Sequence, residues 1–244
     1  MFRSAYVIIT VLFLTVLLGL PCIFMGWIRR ERAAFAITRF YCRMSAIMAG
    51  VKITFDGLEN IQPDTGYIVV ANHQSLLDIP ITVGMLPLSI RMLAKKELFR
   101  IPIFGPAMRA AGHVSIDRDN PRKAIASLAE ASRRMREQNI CIMMYPEGTR
   151  SVDGVVQPFK RGAFRTAHQL DAPILPIAIA GTCRVLPKKA TRIVPGPVRV
   201  TIFPPIPLAG IERKNLASLS DQVQQQISER VAKDLTEIDV QSKK

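Results

Sequence analysis

Beyond Gly50 the chain alternates short apolar, β-branched runs with segments whose apolar residues recur at helical spacing. The runs predict strands at Val51–Phe55, Tyr67–Ala71, Ile90–Ala94, His113–Ile116, Ile140–Tyr145, Ile174–Ala180 and Val198–Phe203. Between them the pattern predicts a short helix after His73 and another near Ile103–Ala110. A long helix is expected to open at Asn120-Pro121, a cap followed by proline at the first helical position. In that helix Ile125, Leu128 and Met135 form the buried side and Arg133, Arg134 and Arg136 face water. A helix over 159–170 follows Pro158, and the last, over about 216–236, carries Leu216, Leu219, Val223, Ile227, Val231 and Leu235. Strands alternating with helices imply an α/β fold: a mixed, roughly seven-stranded central sheet covered by helices.

The first 50 residues read differently. No charged residue occurs from Ser4 to Ile28, a run longer than the ~20 residues a helix needs to cross a bilayer. Trp27 and Arg29-Arg30 close it as interfacial anchors, and Pro21 can kink it so that it dips into the membrane instead of crossing. Residues 31–49 predict a basic amphipathic helix with Arg32, Arg39 and Arg43 on one face, suited to lying at a lipid surface or to packing on the soluble part. Together they predict a two-helix membrane-anchoring motif over 1–50, ahead of a catalytic domain over 51–244. The excess of arginine after the apolar run keeps the large domain in the cytoplasm.

The formal net charge of +14 calls for an anionic partner: nucleic acid, a membrane surface or a phosphorylated substrate. Nucleic acid is disfavoured, because the basic runs lack interleaved aromatic residues and any recognised binding motif. Cys22, Cys42, Cys141 and Cys183 are far apart with apolar neighbours, so neither a zinc site nor a disulfide framework is expected.

The candidate chemistry starts at Asn72-His73-Gln74-Ser75-Leu76-Leu77-Asp78, which follows the run Tyr67–Val70. Histidine is the side chain best placed to remove a proton from a hydroxyl near neutral pH, and a carboxylate can fix its tautomer. On a regular helix, positions five apart point ~140° away from each other. His73 and Asp78 therefore meet only if His73 lies in a strand-to-helix turn and the helix begins near Gln74 or Ser75. Alone, His-x4-Asp is a weak signal.

Three further stretches add weight. Tyr145-Pro146-Glu147-Gly148-Thr149-Arg150 ends an apolar strand in a tight turn, where α/β sheets hold ligands. Arg150 there offers a fork of donors to a phosphate, and Glu147 either holds that arginine or accepts from a substrate hydroxyl. Lys95 and Arg118 follow strands and can converge on the same sheet edge as His73. Pro176, inside Ile174–Ile179, marks an edge, a bulge or a pocket wall, because proline cannot donate to a ladder.

In order and spacing, NHQSLLD, the KKEL…IPIFG…G…IDR stretch, YPEGTR and ILPIAI resemble the four motif blocks of the glycerolipid acyltransferases. The likeness is greatest to the bacterial 1-acyl-glycerol-3-phosphate acyltransferases. It implies transfer of an acyl chain from acyl-CoA or acyl carrier protein to the free hydroxyl of a lysophospholipid, lysophosphatidic acid above all. Glycerol-3-phosphate, another lysophospholipid or a lyso-aminolipid remain alternative acceptors. The resemblance implies His73 as general base and Asp78 as its orienter, with no acyl-enzyme. It gives Glu147, Gly148, Thr149 and Arg150 to the acceptor's glycerol-phosphate, with help from Lys95 and Arg118, and makes Pro176 a wall of the site. No metal and no cofactor beyond the acyl co-substrate are expected. The expected setting is the phospholipid surface of a bacterial inner membrane, with catalysis on the cytoplasmic face. Tyr145 stands where the family usually has phenylalanine.

Overall fold

The computed structural model describes residues 2–116, 127, 130, 131, 133–135 and 137–242. Its strands are β1 (Val51–Asp56), β2 (Ile68–Ala71), β3 (Ile90–Lys95), β4 (Val114–Ile116), β5 (Cys141–Met144), β6 (Ile174–Ala180) and β7 (Gly196–Ile202). The α-helices whose bounds are described are α1 (Phe2–Trp27), α2 (Glu31–Met48), α3 (Asp78–Met85), α4 (Phe104–Ala110), α5 (Gly162–Leu170), α6 (Thr182–Val185) and α7 (Leu216–Ser242). The seven strands form one mixed sheet in the order β1-β7-β6-β2-β5-β3-β4. Every expected strand is present within two residues, as alternation and β-branching predict. The expected start of a long helix at Asn120-Pro121, with Ile125, Leu128 and Arg136, lies outside the described residues.

Two compact units make up the chain: Met1–Ala49 with Ile79–Ile142, and Gly50–Asp78 with Met143–Lys244. In the first, β3 and β4 pair in parallel, with Leu93 opposite Val114. Helix α1 is a single helix with Pro21 inside it. It is long and apolar enough to cross a membrane. Its approach to its neighbours is close. The Cys22 thiol donates to the Ala34 carbonyl of α2 and lies 3.5 Å from the Ala107 carbonyl of α4. A Cβ on Gly26 would fall within 2.5 Å of the Ala107-helix residue Ala110, so glycine allows this contact. Leu12, Phe13, Leu17, Leu20 and Phe24 remain exposed on α1.

Helix α2 buries Ala34, Phe35, Cys42, Ser45 and Ala46, while Phe40 and Ile47 are exposed. The arginines on this helix do not share one fate: Arg32 and Arg43 are exposed, but the Arg39 guanidinium donates to the Leu86 carbonyl at 2.9 Å. A second departure is Arg134. Expected to face water, it is 9% exposed, donates to the Gly112 carbonyl at 2.8 Å and pairs with Glu31. The carboxylate and carbonyl supply what a guanidinium needs when it leaves water. Arg133 does face water, and Met135 is buried.

In the second unit, β1 runs parallel to β7, β7 antiparallel to β6, and β6 parallel to β2. Strand β6 is buried along its whole length. Pro176 therefore sits in an interior strand, not at an edge. The antiparallel ladder ends at Ile177↔Ile202, and pairing resumes at the bridge Ile174↔Ile206 with one extra residue on the return segment. Pro176 lies in that gap, where its carbonyl accepts from Phe203 N–H at 3.0 Å and no ladder donor is required of it. Helix α7 buries Val223, Ile227, Val231 and Ile238 at helical spacing.

Candidate active site

Strand β2 ends at Ala71, and residues 72–77 form a turn before α3. The helix starts at Asp78, later than the Gln74 or Ser75 that spacing suggested. The cause is Asp78 itself. Its Oδ2 accepts the backbone N–H of Gln74 at 2.7 Å and of Ser75 at 2.8 Å, which holds those residues in a turn. The same oxygen lies 2.8 Å from His73 Nδ1, and Asp78 is fully buried. Neutral histidine carries one N–H, so an Nδ1–H donated to Asp78 leaves Nε2 as the acceptor. The His73 side chain is 15% exposed, enough for a ligand to reach it.

The remaining histidines are occupied elsewhere. His113 is buried and its Nδ1 accepts from Met92 N–H; burial, with Arg91 and Arg134 nearby, pushes its pKa down to about 3. His168 Nε2 bonds the Ile211 carbonyl. Among the described residues, His73 is the one histidine that pairs with a carboxylate.

Three side chains hold the His73 turn. Asn72 spans it to β6: its side-chain carbonyl accepts Ile179 N–H and its amide donates to Ile179 C=O, both at 2.8 Å. Glu147 grips it from the 145–150 turn, accepting His73 N–H at 2.6 Å through Oε1 and Gln157 N–H at 3.0 Å through Oε2. The alternative partner expected for Glu147, Arg150, is therefore not the one its oxygens meet. Burial raises the Glu147 carboxyl to about 6 despite these two donors. Finally, the Tyr145 ring stacks on the His73 imidazole, centroids 4.1 Å apart and planes 16° apart.

Gly148 has φ +74°, and its N–H donates to the Tyr145 carbonyl at 3.0 Å, closing the turn. Thr149 is exposed and its hydroxyl accepts from Lys188 Nζ, which also donates to the Arg150 carbonyl at 2.5 Å. The Arg150 guanidinium is partly exposed and has no hydrogen-bond or ion-pair partner among the described residues. Ser151 N–H donates to the His73 carbonyl at 2.8 Å, so the residue after Arg150 is fastened beside the histidine. Lys95 ends β3 in the other unit and is exposed. Arg118 lies outside the described residues. No group of three or more His, Cys, Asp or Glu side chains that could hold a metal ion occurs among the described residues.

Two contacts had no sequence signal strong enough to single them out. Thr182, at the start of α6, donates from Oγ1 to Asp78 Oδ1 at 2.6 Å. Ser75 Oγ donates to the Leu186 carbonyl and accepts Leu77 N–H. A Gly-Thr pair directly after an apolar strand is the only trace of the first; the second has none.

A family model described as Acyltransferase matches residues 52–180. The chain is 32% identical over 222 residues to 1-acyl-sn-glycerol-3-phosphate acyltransferase alpha of Homo sapiens, covering 91% of this chain and 77% of that protein. It is 38% identical over 164 residues to 1-acyl-sn-glycerol-3-phosphate acyltransferase of Cocos nucifera, covering 67% of this chain and 53% of that protein. Its fold is similar to the crystal structure of the 1-acyl-sn-glycerophosphate (LPA) acyltransferase, PlsC, from Thermotoga maritima. The TM-score is 0.81 at 26% identity, over 95% of this chain and 94% of that one.

Proposed function

The chain belongs to the acyltransferase family, and on that premise we propose that it moves an acyl chain from an acyl thioester to the free hydroxyl of 1-acyl-glycerol-3-phosphate, giving phosphatidic acid. Acyl-CoA or acyl carrier protein is the donor. The observation that carries this reading is the His73 Nδ1–Asp78 Oδ2 contact of 2.8 Å on a histidine whose other ring nitrogen is left to accept a proton. His73 Nε2 takes the proton of the acceptor hydroxyl as that oxygen attacks the thioester carbonyl. Asp78 stabilises the imidazolium that forms. When the tetrahedral oxyanion collapses, the C–S bond breaks and the departing thiolate takes the proton back from His73. Ser75 is engaged through both its donor and an acceptor lone pair, which supports direct transfer without an acyl-serine.

Arg150, with no competing protein partner among the described residues, is suited to the acceptor phosphate. Gly148 and Thr149 shape that turn, Glu147 positions His73, and Pro176 supports the strand behind it. Lys95 and Arg118 keep, in this reading, the substrate-binding role that the family pattern gives them. Residues 1–50 anchor the enzyme and 51–244 carry catalysis on the cytoplasmic face of a bacterial inner membrane, a reading supported by the charge-free run Ser4–Ile28 and the arginines that follow it.

A panel of acceptors tests the assignment. With purified enzyme and one acyl-CoA, kcat/KM is expected to be at least about tenfold higher for lysophosphatidate than for choline or ethanolamine lysophospholipids, because a bidentate arginine prefers an unmasked phosphate. Glycerol-3-phosphate is expected to be poorer still for want of a chain. A higher value for any of the others would reassign the acceptor.

A further inference from the structure

We infer that Thr182 is a positioning residue of this reaction, its hydroxyl fixing the Asp78 carboxylate so that the oxygen opposite holds His73. The inference rests on the base role of the His73–Asp78 pair and adds a residue outside the four motif stretches. Asp78 and Thr182 are both fully buried. The carboxylate receives donors on both oxygens: His73 Nδ1, Gln74 N–H and Ser75 N–H on Oδ2, and Thr182 Oγ1 on Oδ1 at 2.6 Å. A carboxylate gripped on one oxygen alone can rotate about its Cβ–Cγ bond. Gripped on both, it presents Oδ2 to the imidazole in one orientation.

The backbone delivers Thr182 to this place. Gly181 leaves β6 at φ +94°, and a Cβ there would come within 2.5 Å of the Pro197 carbonyl oxygen. Only glycine makes that bend without displacing a neighbour. The bend starts α6 with Thr182 pointing at Asp78. The same strand end holds Asn72 through Ile179, so β6 sets both the base's turn and the base's carboxylate. Hydrogen bonds to an ionised group exceed neutral ones in strength, and most so where water is excluded.

Removing the hydroxyl takes a charge-assisted bond from a buried anion. The His73–Asp78 pair then holds its proton more tightly, whichever member carries it. Among the described residues, Glu147 and Cys183 are titratable groups that feel the Asp78 charge, and burial raises the pKa of both.

Thr182→Val, Thr182→Ala and Thr182→Ser, made in the full chain, are compared with His73→Ala for turnover of lysophosphatidate. Loss of one charge-assisted bond predicts kcat down about tenfold to hundredfold in Thr182→Val, with KM for lysophosphatidate changed less than about twofold. The acid limb of its kcat/KM profile should move to higher pH. Thr182→Ser should recover kcat to within about threefold of the parent. If Thr182→Val does not fold, Thr182→Ala, which removes the hydroxyl and only vacates space, carries the same expectation. The inference is overturned if the variants lacking the hydroxyl keep the parent kcat and pH profile, or if Thr182→Ser is as impaired as they are, since packing would then be the whole role. Inactive His73→Ala beside a normal Thr182→Val condemns this inference alone, whereas an active His73→Ala removes the base assignment beneath it.

Discussion

His73→Ala is expected to lower kcat for acyl transfer to lysophosphatidate by about 10²- to 10⁴-fold, the range general-base catalysis supplies. The loss should fall on kcat. Arg150 and its turn do not depend on the imidazole for their shape: the Glu147 contact is to the His73 backbone N–H, and Ser151 bonds the His73 backbone carbonyl. Alanine keeps both backbone groups, so KM for lysophosphatidate should change little. The side chain reaches solvent, so the space its removal leaves opens to water that can hydrate Asp78, and the melting temperature should fall by no more than a few degrees. Parallel measurement of kcat, KM and the melting temperature checks all three. A variant that turns over normally would dismiss His73 as the base.

Asp78→Asn is expected to cost about 10⁴-fold in kcat, for a different reason. The side chain keeps its shape and loses its charge. An asparagine oriented with its oxygen in the Oδ2 place still accepts from His73, Gln74 and Ser75, and its amide turns to the Thr182 hydroxyl, which can accept instead of donate. The turn can therefore persist while the imidazolium loses its counter-charge. Reversed, the amide would confront three donors and the 72–77 turn would loosen. Circular dichroism and a melting curve, read with the kinetics, separate the two orientations. Full activity in either case would show that the carboxylate charge is not used.

Much of this site was legible because its logic is local. A strand followed by His-x4-Asp can bring the two side chains together only through a turn, and that turn is present. Its length is not legible in the sequence, because which backbone N–H groups a carboxylate captures depends on side-chain rotation, and spacing carries no record of that. The strands were legible for the same reason: β6, buried throughout, needs a continuous apolar run, and Ile174–Ala180 is one. What stayed hidden is long-range. Glu147 lies three positions from an arginine, the obvious partner, yet it spends both oxygens on backbone N–H groups, one of them 74 residues away. Asn72 reaches Ile179 and Asp78 reaches Thr182 over more than 100 positions. A buried polar side chain must be satisfied, but its sequence cannot say by whom. Arg134 misled in the opposite sense, since a charged residue among arginines reads as solvated until the carboxylate of Glu31 is beside it.

The most direct measurement of the central claim is a rapid-mixing experiment on the parent enzyme, following release of free thiol from acyl-CoA with and without lysophosphatidate in vesicles. Direct transfer through His73 predicts thiol release and phosphatidate formation together, in equal amounts, only when both substrates are present. A burst of thiol equal to the enzyme concentration without acceptor would reveal an acyl-enzyme, and thiol release that yields no phosphatidate would contradict the proposed reaction.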